Sequence, residues 1–145
     1  MKKCILTLSV IFCCLVSIAQ TSDEDAIKKV VTSAYVEGIQ NDGSIDDIRK
    51  GIHPTFTMLR VTDNEVKPFP IEEWIAAIEK RRAEAKPDDK KVRTEAKFVS
   101  VDITGTAAVA KLELSREGKK TFTDYIVLHK FNEGWRIISK SFFRH

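Results

Sequence analysis

The sequence predicts an α+β domain, with helices packed on one face of a curved antiparallel sheet. Three observations carry that expectation. Apolar residues recur at helical spacing early in the chain: Ile27, Val30, Val31 and Ala34, and later Ile71, Trp74, Ile75 and Ile78. From Val92 to Phe143 the pattern switches to period two, as in Ala108, Ala110, Leu112 and Leu114 against Val109, Lys111 and Glu113. Turn clusters at Arg116-Glu117-Gly118-Lys119 and Asn132-Glu133-Gly134 divide that region into long hairpin-linked strands. Helices first and strands last is the order of an α+β domain.

Each element has its own local signal. Ser22 with Asp25 reads as a capping box opening the first helix, which Asn41-Asp42-Gly43 ends. Ser44 with Asp47 reads as a second N-cap, Ile45 and Ile48 as the apolar face of a short helix, and Gly51 as its stop. After His53-Pro54, the run Thr55–Val61 is rich in β-formers, Thr62–Glu65 is a turn, and Val66–Phe69 is a short return strand. Pro70 starts a third helix whose charged face holds Glu72, Glu73, Glu79 and Lys80 to Arg82. Residues 85–91, charged and containing Pro87, read as a solvated connector. Strands Thr121–Phe131 and Trp135–Phe143 complete the meander. The sequence has no internal repeat and no low-complexity segment.

Ahead of this lies a segment of different character. Lys2 and Lys3 precede an almost wholly apolar run from Cys4 to Ile18, and Ser17-Ile18-Ala19 supplies small residues at the positions a signal peptidase inspects. Residues 1–19 therefore read as a cleaved secretory signal peptide, and residues 20–145 as one domain. The apolar run is short for a bilayer span, so the processed chain is expected to be exported, periplasmic or secreted, and not membrane-embedded. Cys4, Cys13 and Cys14 all fall in the leader, which leaves the mature chain without a disulfide, a cysteine nucleophile or a thiolate metal site. Net charge falls from +3 to +1 when Lys2 and Lys3 are removed, which gives no electrostatic footprint for nucleic acid.

The order of elements, with Ala26–Val31, Tyr35 and Gly38, then His53-Pro54 and Phe56, Glu73-Trp74, Thr123-Asp124-Tyr125, Lys130-Phe131, Gly134–Ile137 and Lys140, resembles the NTF2-like, or SnoaL-like, cone fold. Within it the sequence is similar to the secreted bacterial family labelled putative lumazine-binding. The resemblance implies a strongly curved sheet that, with the helices, encloses a pocket open at one end. Relatives use that pocket for isomerisation, dehydration, cyclisation or no chemistry, so the fold by itself does not choose among them.

The chemistry available is limited. No nucleophile elbow, phosphate loop or metal-ligand spacing is present, so neither metal nor cofactor is expected, and an enzyme would need an acid/base pair. Asp124 shares its strand face with Phe122, Ile126 and Leu128, a lone acid among apolar groups that needs a cationic partner or an altered pKa. Lys140, grouped by parity with Ile138 and Phe142 on the next strand, is the nearest candidate. The pair is either a general base with an anion partner, or a structural ion pair. His53 is either an acid/base at the pocket mouth or a packing residue at the helix-to-strand junction. His129 belongs by parity to the opposite face, with Tyr125 and Val127. Tyr35, Phe56, Trp74, Trp135 and Phe142 could stack a flat ring or fill the core; Tyr35 and Trp74, with polar tips, are the stronger ligand candidates.

The expected ligand-binding set is Tyr35, His53, Phe56, Trp74, Asp124 and Lys140, holding a small flat organic molecule without turnover. Its rivals are a lyase or isomerase using His53 and Asp124, and an interaction module that forms homodimers through the exposed sheet face.

Overall fold

The computed structural model describes residues 22–86 and 88–145, so the expected leader and its cleavage site lie outside the described residues. Helix α1 runs over residues 22–40 and changes character midway. Residues 22–30 are α-helical, and Val31–Gln40 are wound with the wider i→i+5 pattern of a π-helix. Ser22 is helical, and the residues before it lie outside the described residues. Helix α2 (Ile45–Gly51) opens as its sequence predicts, with the Ser44 hydroxyl accepting from the Asp46 and Asp47 amides. Gly51, read as a stop signal, is the last residue of α2 and also a close-approach residue: a Cβ there would collide with Ala34. Gly38 plays the same part from α1, where a Cβ would stand 2.6 Å from Ile48 Cγ1. Two glycines thus let α1 and α2 pack nearly backbone to backbone.

Strand β1 (Ile52–Thr62) begins directly after α2 and takes in His53-Pro54. It turns at Asp63-Asn64, both with positive φ, into β2 (Glu65–Pro70). Helix α3 (Ile71–Glu84) buries Ile71, Ile75 and Ile78, while Trp74 is only half-buried. The connector leads to the meander β3 (Thr94–Thr104), β4 (Ala107–Arg116), β5 (Lys119–Phe131) and β6 (Gly134–Arg144). The sheet order is β2-β1-β6-β5-β4-β3. Every pairing is antiparallel except β1 with β6, because the chain crosses to the far edge after α3 and the meander returns beside β1 in the same direction.

Register shifts interrupt four of the five ladders, and such bulges bend and twist a strand. The shift between β5 and β6 decides where the site forms. Leu128 pairs with Ile137 and Val127 with Ser139, so Ile138 is the extra residue. Beyond it the inward parity of β6 moves by one, and Lys140 and Phe142 join Trp135 and Ile137 on the inner face. Ile138 therefore does not share Lys140's regular alternation, as simple parity suggested.

The core lies between the three helices and this inner face. It joins Ile27, Val31, Ala34 and Tyr35 of α1 to Leu112 and Leu114 of β4 and Ile126 and Leu128 of β5, all at most 1 % exposed. The end of α1 is tied to the start of β3 by a reciprocal pair: Asn41 Nδ2 donates to the Thr94 carbonyl at 3.0 Å, and the Thr94 amide donates to Asn41 Oδ1 at 2.8 Å. Among the described residues no helix is long and apolar enough to cross a membrane.

Candidate functional site

Asp124, which sequence alone marks as a lone acid among apolar neighbours, is completely buried. Its two oxygens are held differently. Tyr35 Oη donates to Oδ2 at 2.5 Å, in the range of a charge-assisted O–H···O⁻ bond. Lys140 Nζ lies 3.0 Å from Oδ1, close enough for an ion pair but not aligned as a hydrogen bond, so Oδ1 keeps unfilled acceptor capacity. Lys140 is two residues off direct register, since Asp124 faces Phe142 and Ile126 faces Lys140 across the β5–β6 ladder. This diagonal is within reach of a long side chain.

Lys140 is enclosed by aromatic rings as well as by the acid. Its Nζ stands 4.5 Å from the ring centre of Phe142, 5.2 Å from Tyr35 and 5.7 Å from Trp74. Cation–π attraction offsets part of the solvation lost there. Burial nevertheless pulls the Lys140 ammonium below the ordinary lysine range, with the charge and hydrogen-bonding capacity of Asp124 opposing it. Burial, followed by the adjacent Asp124 charge, holds the Tyr35 hydroxyl protonated well above the usual phenol range.

The network continues outward. Gln40 Nε2 donates to Tyr35 Oη at 3.0 Å. The two residues are five apart, a separation the i→i+5 winding of Val31–Gln40 brings to one side of the helix. Arg116 Nη2 in turn donates to Gln40 Oε1 at 3.4 Å, and its Nε donates to Thr94 Oγ1 at 2.9 Å. A polar chain Lys140–Asp124–Tyr35–Gln40–Arg116 therefore runs from the buried sheet to the protein surface.

Beside this chain lies an open cleft of about 1110 Å³, bounded by the end of α1, the C-terminal half of α3, the connector and the inner sheet face. Trp74, Met58, Phe122 and Phe142 supply its apolar wall, with Lys140 among them. Trp74 sits at the centre of an aromatic group, its ring 6.1–6.2 Å from those of Tyr35, Phe56 and Phe69.

Of the residues singled out by sequence, Trp74, Lys140 and Phe142 line the cleft. Tyr35, Phe56 and Asp124 stand behind its wall, each at most 1 % exposed. His53 is not among the lining residues: its ring stacks on Phe131 at 4.9 Å and 9°, and its Nδ1 accepts from the Thr55 amide. Trp135 packs at the other end of β6, with Nε1 donating to Asp23 Oδ1 at 3.0 Å. His129 follows the parity of exposed Tyr125, as expected. Sequence reasoning missed Gln40, Arg116, Met58 and Phe122. Arg116 read only as a turn residue, and Gln40 is out of phase with an α-helical stripe that includes Tyr35. Among the described residues no group of three or more His, Cys, Asp or Glu is placed to hold a metal ion.

A family model described as putative lumazine-binding matches residues 22–143. Among solved structures, an NTF2-like protein of unknown function from Shewanella baltica is similar with a TM-score of 0.65 at 24% identity, over 86% of this chain and 95% of that one. One from Silicibacter pomeroyi gives 0.66 at 17%, over 87% and 98%. An NTF2-like protein from Cytophaga hutchinsonii gives 0.61 at 16%, over 84% and 98%. At these identities the likeness speaks for the fold alone. No curated protein matches the sequence.

Proposed function

We propose that this chain, which belongs to the putative lumazine-binding family of NTF2-like domains, is an exported binding protein that holds a small flat organic molecule in its cleft without transforming it. The carrying observation is the division between wall and interior. Trp74, Phe122 and Phe142 present aromatic surface to the cleft, whereas the carboxylate of Asp124 has no exposed surface and is already engaged by Tyr35 and Lys140. A general base must come within about 2.6–3.2 Å of the proton it takes, or reach it through one water. Asp124 meets that condition only if the wall opens. His53, the other acid/base candidate, is stacked on Phe131, away from the cleft lining. A mostly apolar concavity with a few fixed polar groups is the usual form of a small-molecule site.

Lumazine, the flat bicyclic molecule in the family's description, is the first probe. Binding to the folded state alone should raise the melting temperature with ligand concentration, by an amount equivalent to about 2.7 kcal/mol at one hundred times Kd. Trp74→Ala should reduce that rise. If neither lumazine nor other flat heteroaromatic compounds shift the transition, the binding reading fails.

A further inference from the structure

The cleft has a strong charge bias that the reading above does not use. Eight of its lining residues are cationic and three are acidic. All three acids are occupied: Asp42 by Arg81, Glu84 by Lys80 at 3.9 Å, and Asp89 by the Lys86 amide at 2.7 Å. Lys90 and Arg93 are matched by Glu117 and Glu37, which do not line the cleft, and Lys140 is matched by Asp124. Among the described residues, Arg116 and Lys91 line the cleft with no carboxylate in ion-pair range.

The two differ in how they are held. Arg116 is fixed from two sides, by Thr94, which is 1 % exposed, and by Gln40. A guanidinium carries five N–H donors in a planar fork. Two are used in those bonds, so the rest remain available on a side chain whose orientation is already set. A fixed fork with an uncompensated charge suits a planar carboxylate, which it can meet with two parallel hydrogen bonds. On the neighbouring wall, Phe122, Phe142 and Trp74 suit a ring.

We propose that the ligand of this cleft is a flat ring compound bearing a carboxylate, with the ring on the Trp74–Phe142 wall and the carboxylate on Arg116. This rests on the binding reading and names its ligand class. The Arg116–Gln40–Tyr35–Asp124 chain then makes Arg116 the outer end of a line of hydrogen bonds anchored in the core, and Arg116 is thereby preorganised for the anion.

The test compares naphthoate with naphthamide, which share a ring system and differ in charge, by thermal shift and calorimetric titration of the purified protein. Naphthoate should bind about tenfold more tightly, the size expected for one hydrogen bond to a charged group. Its advantage should shrink as salt is raised, since this part of the cleft is open to solvent. Arg116→Gln should abolish the preference, so that naphthoate and naphthamide bind the variant equally. Equal binding of the two compounds would overturn the carboxylate proposal and leave the binding reading standing. A naphthoate preference that survives in Arg116→Gln would overturn the assignment to Arg116. If neither compound binds but lumazine does, the carboxylate class is wrong; if lumazine also fails, the cleft reading falls with it.

Discussion

The interior end of the polar chain and its outer rim use the same chemistry, ammonium or guanidinium against carboxylate, under opposite conditions. Asp124 and Lys140 are 0 % and 6 % exposed in their side chains, whereas Arg93 and Glu37 are 66 % and 40 % exposed. At the rim, water solvates each partner whether or not the other is present, so the pair is worth little. In the core neither ion has water to fall back on, so each depends on the other. The interior pair is therefore a constraint on the fold, and the rim a field that can be retuned without cost to it.

The largest expected effect follows directly. Lys140→Met removes the cation and leaves Asp124 charged in an apolar core, which should cost about 3–5 kcal/mol of stability by chemical denaturation. The double variant Asp124→Leu/Lys140→Met should recover much of that loss. No recovery would mean that the pair carries more than mutual neutralisation.

Tyr35→Phe should cost less, about 1.5–3 kcal/mol, the range for a hydrogen bond to a charged acceptor. It should also change the alkaline limb of the stability curve. Because the Tyr35 pKa is raised in the folded state, the unfolded chain loses this proton first, above pH about 10. The unfolded state then binds fewer protons, and stability falls by about 1.4 kcal/mol per pH unit. Lys140, whose pKa is lowered, contributes the opposite slope between its folded value and about 10.4, where the unfolded chain holds more protons. The Tyr35 contribution is thus clearest above that window, and Tyr35→Phe should remove it together with the delayed phenolate absorbance. An unchanged alkaline limb would show that burial beside Asp124 does not raise the Tyr35 pKa in the folded state.

The smallest effect belongs to the rim. Arg93→Gln should change stability by less than about 1 kcal/mol, and a loss comparable with that of Lys140→Met would erase the distinction between the two regions.

Much of this was legible beforehand, for identifiable reasons. Period two across β5 exposed Asp124 as an acid that needed a partner, and hairpin order pointed to Lys140. Turn residues and helical spacing placed α2, α3 and the meander. Two features were hidden because they break the periods on which such reading depends. The bulge at Ile138 resets the parity of β6 and lets Lys140 and Phe142 face inward together. The i→i+5 winding of Val31–Gln40 pairs Gln40 with Tyr35, which an α-helical stripe would not. The partial exposure of Trp74 is hidden for a related reason. Helical spacing gives the direction of a residue but not what covers it, and Trp74 points at an open cleft. A Trp74→Ala loss of 3–5 kcal/mol, appropriate to full burial, is therefore too large, and about half is expected.

The most direct test of the central claim, that Asp124 supports the wall while the wall binds the ligand, is lumazine titration of Asp124→Asn beside the wild type at a temperature where both are folded. The expected result is a clear loss of denaturation free energy with lumazine affinity within about twofold of wild type, a difference under about 0.5 kcal/mol. Unchanged stability with affinity lost tenfold or more, or any turnover in the wild type that the variant abolishes, would contradict it and make Asp124 a working group of the pocket.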